Sequence, residues 1–277
     1  STPQVSVSWL RVAGSVVNER IYRWLEEWKK NYRGRLILYE YYMGLHARAS
    51  MPYPISEVIC RDWDALKKLG VAGATVQCWS SNHSVYVLNN LVFARCGWHD
   101  DVDHREVLDD YLLGAYGAAA EDVRPIFAGM LRAVSERAAA KAAFWPYSGR
   151  DIGPLLDAVG RDNIPAVLDA ARRRAQNDRE RRQVEKLSAA VRYWLWADEA
   201  YKLQGKLGGM KTSDPAGLRA TLNRLLGEAD LLFAAPETAG WISITARSCW
   251  KPFLADAACL QLNLQKEEIS DTPSEKK

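Results

Sequence analysis

No apolar run in the chain approaches the ~20 residues that a membrane-spanning helix requires, so no crossing of a bilayer is expected. The longest candidates, such as Val71–Val76, suit a buried strand. No Cys-x-x-Cys pair occurs, and the five cysteines (Cys60, Cys78, Cys96, Cys249 and Cys259) are odd in number. Neither a zinc ribbon nor a closed disulfide framework is therefore indicated. Each cysteine has apolar neighbours, which reads as buried free thiols and points towards a reducing, cytoplasmic compartment. Gly-x-Gly-x-x-Gly, the phosphate loop, Gly-x-Ser-x-Gly and His-Glu-x-x-His are all missing. Nucleotide binding, serine hydrolysis and zincin chemistry thus have no support, and no cofactor is expected. Charge of one sign is scarce too: a net +3 and a pI near 8.5 call for neither nucleic acid nor an anionic membrane as partner. The chain begins Ser1-Thr2-Pro3, without Met or a signal-peptide pattern, which reads as a mature, trimmed or internal start.

What is present is the balance of a globular protein: 277 residues, 48% hydrophobic and 26% charged, with eleven Trp and twelve Tyr against five Phe. Amphipathic aromatics suit surfaces that hold sugars, and they also fill ordinary cores. Residues 1–117 alternate helix and strand. Val16, Val17, Ile21, Leu25 and Trp28 recur at helical spacing up to Gly34. Leu36 to Tyr42 is a continuous apolar and aromatic run around Glu40, which predicts a strand covered on both faces. A second helix carries Ile55, Val58, Ile59, Leu66 and Leu69 and stops at Gly70, and Val71–Trp79 predicts another strand. From residue 118 to 265 the strands stop and Ala- and Arg-rich helical periodicity predicts a bundle of three to five helices. Leu187, Val191, Trp194, Leu195 and Tyr201 form one stripe there, and Leu218, Leu222, Leu225, Leu226, Leu232 and Phe233 form another. Residues 266–277 are nearly all polar and read as a disordered tail. Two strands cannot cover their own edges. Either the first half docks on another chain, or it is the end of a longer sheet.

The order of motifs suggests which. Leu38-Tyr39-Glu40-Tyr41-Tyr42, Pro52-Tyr53-Pro54, Leu69-Gly70-Val71-Ala72-Gly73, Asn89-Asn90-Leu91 and Tyr111-Leu112-Leu113-Gly114-Ala115-Tyr116-Gly117 follow one another along residues 9–117. This series resembles domain of unknown function family 4838. That family is similar to the catalytic barrels of glycoside hydrolases, especially the family 67 α-glucuronidases and family 20 hexosaminidases. The resemblance implies an α/β plus all-α protein: the last strands and helices of a (β/α)₈ TIM-like barrel over 1–117, then a helical domain over 118–265. It further implies that the missing N-terminal barrel half holds the proton donor, so that this chain alone is inactive. Cys78-Trp79-Ser80-Ser81-Asn82-His83 stands where the α-glucuronidases have Asn-Asp-x-Asn-Trp, so glucuronate specificity does not carry over.

Glu40 is the candidate catalytic residue. A carboxylate inside an apolar strand must be paired, hydrogen-bonded or shifted in pKa. At the end of a barrel strand it would be a general base activating water for glycoside hydrolysis. Strand alternation puts Tyr42 on the side of Glu40, and Gln77 with Trp79 on one side of the next strand. Trp79 would stack on a pyranose ring, with Tyr42, Gln77, Asn82, His83 and His46 as further substrate contacts. His99-Asp100-Asp101-Val102-Asp103-His104 has metal-ligand residue types, but Asp103 with Glu106 reads better as a helix-capping box, and no metal is expected. Arg172 to Lys186 holds seven basic and three acidic residues at neutralising spacings, a solvated helix face rather than a nucleic-acid stripe. The expected partner is an oligo- or polysaccharide, together with the missing barrel half or another chain covering the sheet edge. The competing reading is a non-catalytic carbohydrate-binding or helical scaffold protein.

Overall fold

The computed structural model describes residues 16–40, 42, 54–76, 86–139, 152–207 and 215–234. The first of its elements is helix α1 (Val16–Asn31), followed by strand β1 (Ile37–Glu40), helix α2 (Ser56–Lys68) and strand β2 (Gly73–Val76). The strands pair in parallel, with Ile37 opposite Gly73 and Glu40 opposite Val76. Parallel neighbours need a crossover, and α2 supplies it. Ile21 of α1, Leu36 and Leu38 of the β1 segment and Leu66 of α2 form a small apolar cluster that closes this unit. Lys29 at the end of α1 donates to the Gly70 carbonyl over 2.8 Å, tying α1 to the far end of α2.

Gly70 ends α2 as its sequence position predicts. Its φ of 74° is left-handed, and its N–H donates to the Lys67 carbonyl while Val71 N–H donates to Leu66. Carbonyls that the helix end would orphan are thereby satisfied. Helix α3 (Val87–Trp98) lies beside α2, and α4 (His104–Tyr116) begins at Asp103, whose carboxylate accepts from the Arg105 N–H over 2.8 Å. Asp103 is thus the N-cap of α4.

Beyond a short 3-10 turn at Gly117–Ala119, every described segment is helical: α5 (Ala120–Ala139), α6 (Ile152–Val159), α7 (Ile164–Arg174), α8 (Asp178–Leu207) and α9 (Pro215–Ala234). One hydrophobic core runs from Tyr42 and Ile55 through Val107, Leu112, Val123 and Ile126 to Leu187, Trp194 and Leu225 without a break at residue 117. The two stripes read from the sequence face this core, and the indole N–H of Trp196 donates to the Leu225 carbonyl, joining α8 to α9. The basic stretch on α7 and α8 is paired: Arg172 with Asp169 and Glu185, Arg174 with Asp122, Arg181 with Asp178.

The expected TIM-like barrel remnant is overturned. Among the described residues the sheet has two strands and nearly everything else is helix, so the protein is mostly all-α. The physical reason lies in where apolar area is spent. Eight of the described helices, α2 to α9, bury their stripes against one another in a common core, and β1 and β2 are short strands attached at its margin. The strand expected to be covered on both faces is covered on one: Leu38 and Glu40 are buried while Ile37 and Tyr39 are exposed.

Two glycines test this account. Gly70 sits at a left-handed φ that a side chain tolerates at a cost of roughly 1–2 kcal/mol, so Gly70→Ala should destabilise by that amount. Gly114 lies inside α4, where a new Cβ meets nothing within 4 Å. Gly114→Ala should therefore stabilise by about 0.5–1 kcal/mol. Urea unfolding of the two variants checks both signs.

Candidate functional site

The buried face of β1 leads to a polar cluster. Alternation carries Leu38 and Glu40 inward, and Tyr42, two residues on, is buried as well. Across from them α2 presents Asp62, itself 1% exposed, and the Tyr42 hydroxyl donates to Asp62 Oδ2 over 3.0 Å. Glu40 is wholly buried. Its charge and that of Asp62 both act on Tyr42: burial, then Asp62, then Glu40 push the Tyr42 hydroxyl well above its ordinary pKa. Two carboxylates and a tyrosine thus share one desolvated space at the carboxyl end of β1.

The walls are aromatic and helical. Phe93 of α3 sets its ring edge against Tyr42 with centroids 5.9 Å apart, and lies 5.4 Å from the ring of Trp63 on α2. Asn89, also of α3 and buried, accepts from the Ile55 N–H through Oδ1 over 3.0 Å, which fixes the start of α2 against α3. These contacts hold Asp62 in register with the strand. In open α/β sheets, ligands bind at the carboxyl ends of parallel strands, which is where this cluster sits.

Of the residues singled out in the sequence, Glu40 and Tyr42 are brought together on one face. His46, Gln77, Trp79, Asn82 and His83 lie outside the described residues. Glu40 is directed at α2 and away from the open face that carries Ile37 and Tyr39. Sequence reasoning missed Asp62. A signal for it existed: Ile55, Val58, Ile59, Asp62 and Leu66 recur at helical spacing, so a carboxylate interrupts an otherwise apolar stripe.

A third buried carboxylate, Asp198 on α8, is neutralised by Arg161 and Lys202, each at 2.7 Å, and reads as structural. Among the described residues no group of three or more His, Cys, Asp or Glu is placed to hold a metal ion, and no helix is long and apolar enough to cross a membrane.

Tyr42 makes the cluster testable. A tyrosine whose pKa is raised by folding keeps its proton in the native state after the unfolded chain has lost it. Its contribution to stability is whole below pH 10, the ordinary tyrosine value, and is lost as pH rises through the higher folded value. Tyr111, pushed up to about 12 by burial, and Tyr116, also raised by burial, act with the same sign. Stability should decline from about pH 10 upward, by up to ~1.4 kcal/mol per pH unit for each tyrosine. Tyr42→Phe should lose about 1–3 kcal/mol at neutral pH, because Asp62 loses a buried donor, and should flatten the alkaline decline. Denaturant titrations across the alkaline range read both effects.

No curated protein and no solved structure matches the chain significantly. A family model does: residues 12–128, which run from before α1 into α5 and include the whole Glu40–Tyr42–Asp62 cluster, match the domain of unknown function DUF4838, and this part of the chain is similar to that family.

Proposed function

We propose that this chain serves the hydrolysis of glycosidic bonds in an oligo- or polysaccharide, with Glu40 as the general base that activates water. The observation that carries the reading is the gathering of Glu40, Asp62 and Tyr42 in one desolvated cluster at the carboxyl end of a parallel strand. Glycoside hydrolysis needs two carboxyl groups, one to take a proton from water and one to protonate the leaving oxygen. Asp62 is a second carboxylate in the same cluster, held by Tyr42, and is the partner this chain itself offers. The order of motifs along residues 9–117, read from the sequence as resembling a family similar to glycoside hydrolases, supports the same chemistry. A further segment or chain covering the open face of Ile37 and Tyr39 completes the proposal.

One observation favours a non-catalytic carbohydrate-binding reading instead. Trp24, Trp28 and Tyr32 follow one another at four-residue spacing on and just past α1, and each is about half exposed. Aromatic faces in a row suit stacking on successive sugar rings.

Mutants separate the two. If Glu40 is the base, Glu40→Gln lowers kcat by roughly 10²–10⁴ with KM little changed and the melting temperature held. If Glu40 is structural, the same variant melts lower while each folded molecule keeps its activity. Trp79→Ala should raise KM, since stacking is shared by substrate and transition state. Under the binding reading, Trp24→Ala and Trp28→Ala weaken polysaccharide affinity measured by calorimetry, and Glu40→Gln leaves it unchanged.

A further inference from the structure

Cys60 on α2 and Cys96 on α3 are 36 residues apart in sequence, yet their Sγ atoms lie 3.4 Å from each other. Both are free thiols. Their two helices pack side by side, held at one end by Asn89 and Ile55 and at the other by Lys67, which pairs with Asp100 just beyond α3 at 2.7 Å. The sulfurs therefore approach each other between two packed helices rather than across a loop. Cys96 is buried, whereas Cys60 is half-buried, so the pair reaches the protein surface on one side.

We propose that Cys60 and Cys96 form a redox modification site, a thiol pair that closes reversibly to a disulfide across α2 and α3 when it meets a hydroperoxide. A disulfide needs its sulfurs about 2.05 Å apart, so closure draws the two together from 3.4 Å. Either thiol can donate the hydrogen bond they share, so one sulfur of the pair attacks and the other resolves.

In the first step the thiolate of one cysteine of the pair attacks a peroxide oxygen and the O–O bond breaks. Hydrogen peroxide then yields a sulfenic acid on that cysteine and, with a proton, one water. In the second step the other cysteine's sulfur displaces the sulfenic hydroxyl, the S–S bond forms, and its thiol proton leaves with that hydroxyl as a second water. The pair gives up two electrons and the peroxide accepts them. The closed bond would fasten Asp62, two residues after Cys60, to the helix whose Phe93 packs on Tyr42. The proposal holds whether or not Glu40 is a catalytic base.

Hydrogen peroxide treatment of the intact chain, followed by alkylation and peptide mapping, decides it. The expected result is one cross-linked peptide joining Cys60 to Cys96, about 2 Da lighter than the two reduced peptides and released by dithiothreitol. Cys60→Ser and Cys96→Ser should each abolish the cross-link. Should either variant fail to fold, the map of the unsubstituted chain still decides. Separate alkylation of Cys60 and Cys96 after peroxide would overturn the proposal. So would oxidation of either to sulfinic acid without a cross-link, or pairing of either with Cys78, Cys249 or Cys259.

Discussion

A two-stranded parallel sheet cannot bury enough surface to hold itself together, and the rest of this structure follows from that constraint. β1 and β2 keep one face covered by α1 and α2, through Ile21, Leu38 and Leu66, and leave Ile37 and Tyr39 outward. The unit must lean on something larger. It leans on the helical core, which α2 and α3 join through Ile59, Val92 and Leu88, and which extends through α4 into α8 and α9. The seam between α2 and α3 is therefore the joint of the molecule, and it carries Asn89, Asp62, Trp63, Phe93 and both described cysteines.

That seam explains why polar groups are tolerated so deep. A buried carboxylate is expensive unless it finds a donor, and Asp62 finds the Tyr42 hydroxyl at 3.0 Å. Tyr42 in turn is pinned by Phe93, so its hydroxyl cannot swing away without opening an aromatic contact. The cluster is ordered by packing first and by charge second. Such a preorganised group of two carboxylates and a hydroxyl is suited to acid–base chemistry. In the helical half the buried carboxylate, Asp198, meets two cations instead, and the difference in partner separates a candidate site from a structural ion pair.

Helix positions were legible in the sequence because they depend on neighbours three and four residues away. The stripes of α8 and α9, the Asp103 cap and the Gly70 stop needed no knowledge of the fold, since capping and amphipathic burial are local or periodic. The same local grammar of helix and strand, joined to a series of short motifs, led to a barrel that the structure does not contain. Alternating elements specify parallel pairing, as Ile37 with Gly73 shows, but they do not specify how many strands a sheet will have.

The sequence by itself determined that Glu40 is a carboxylate in an apolar strand and that Tyr42 shares its face, because alternation has a period of two. Only the tertiary structure decided what Glu40 faces. Asp62 is twenty residues from Tyr42, and Cys96 is thirty-six from Cys60. Neither separation has a period that a chain can announce. Those pairings arise when α2 and α3 settle together over the sheet, and the packing of whole helices, set by the shape of their apolar faces, chooses which side chains meet.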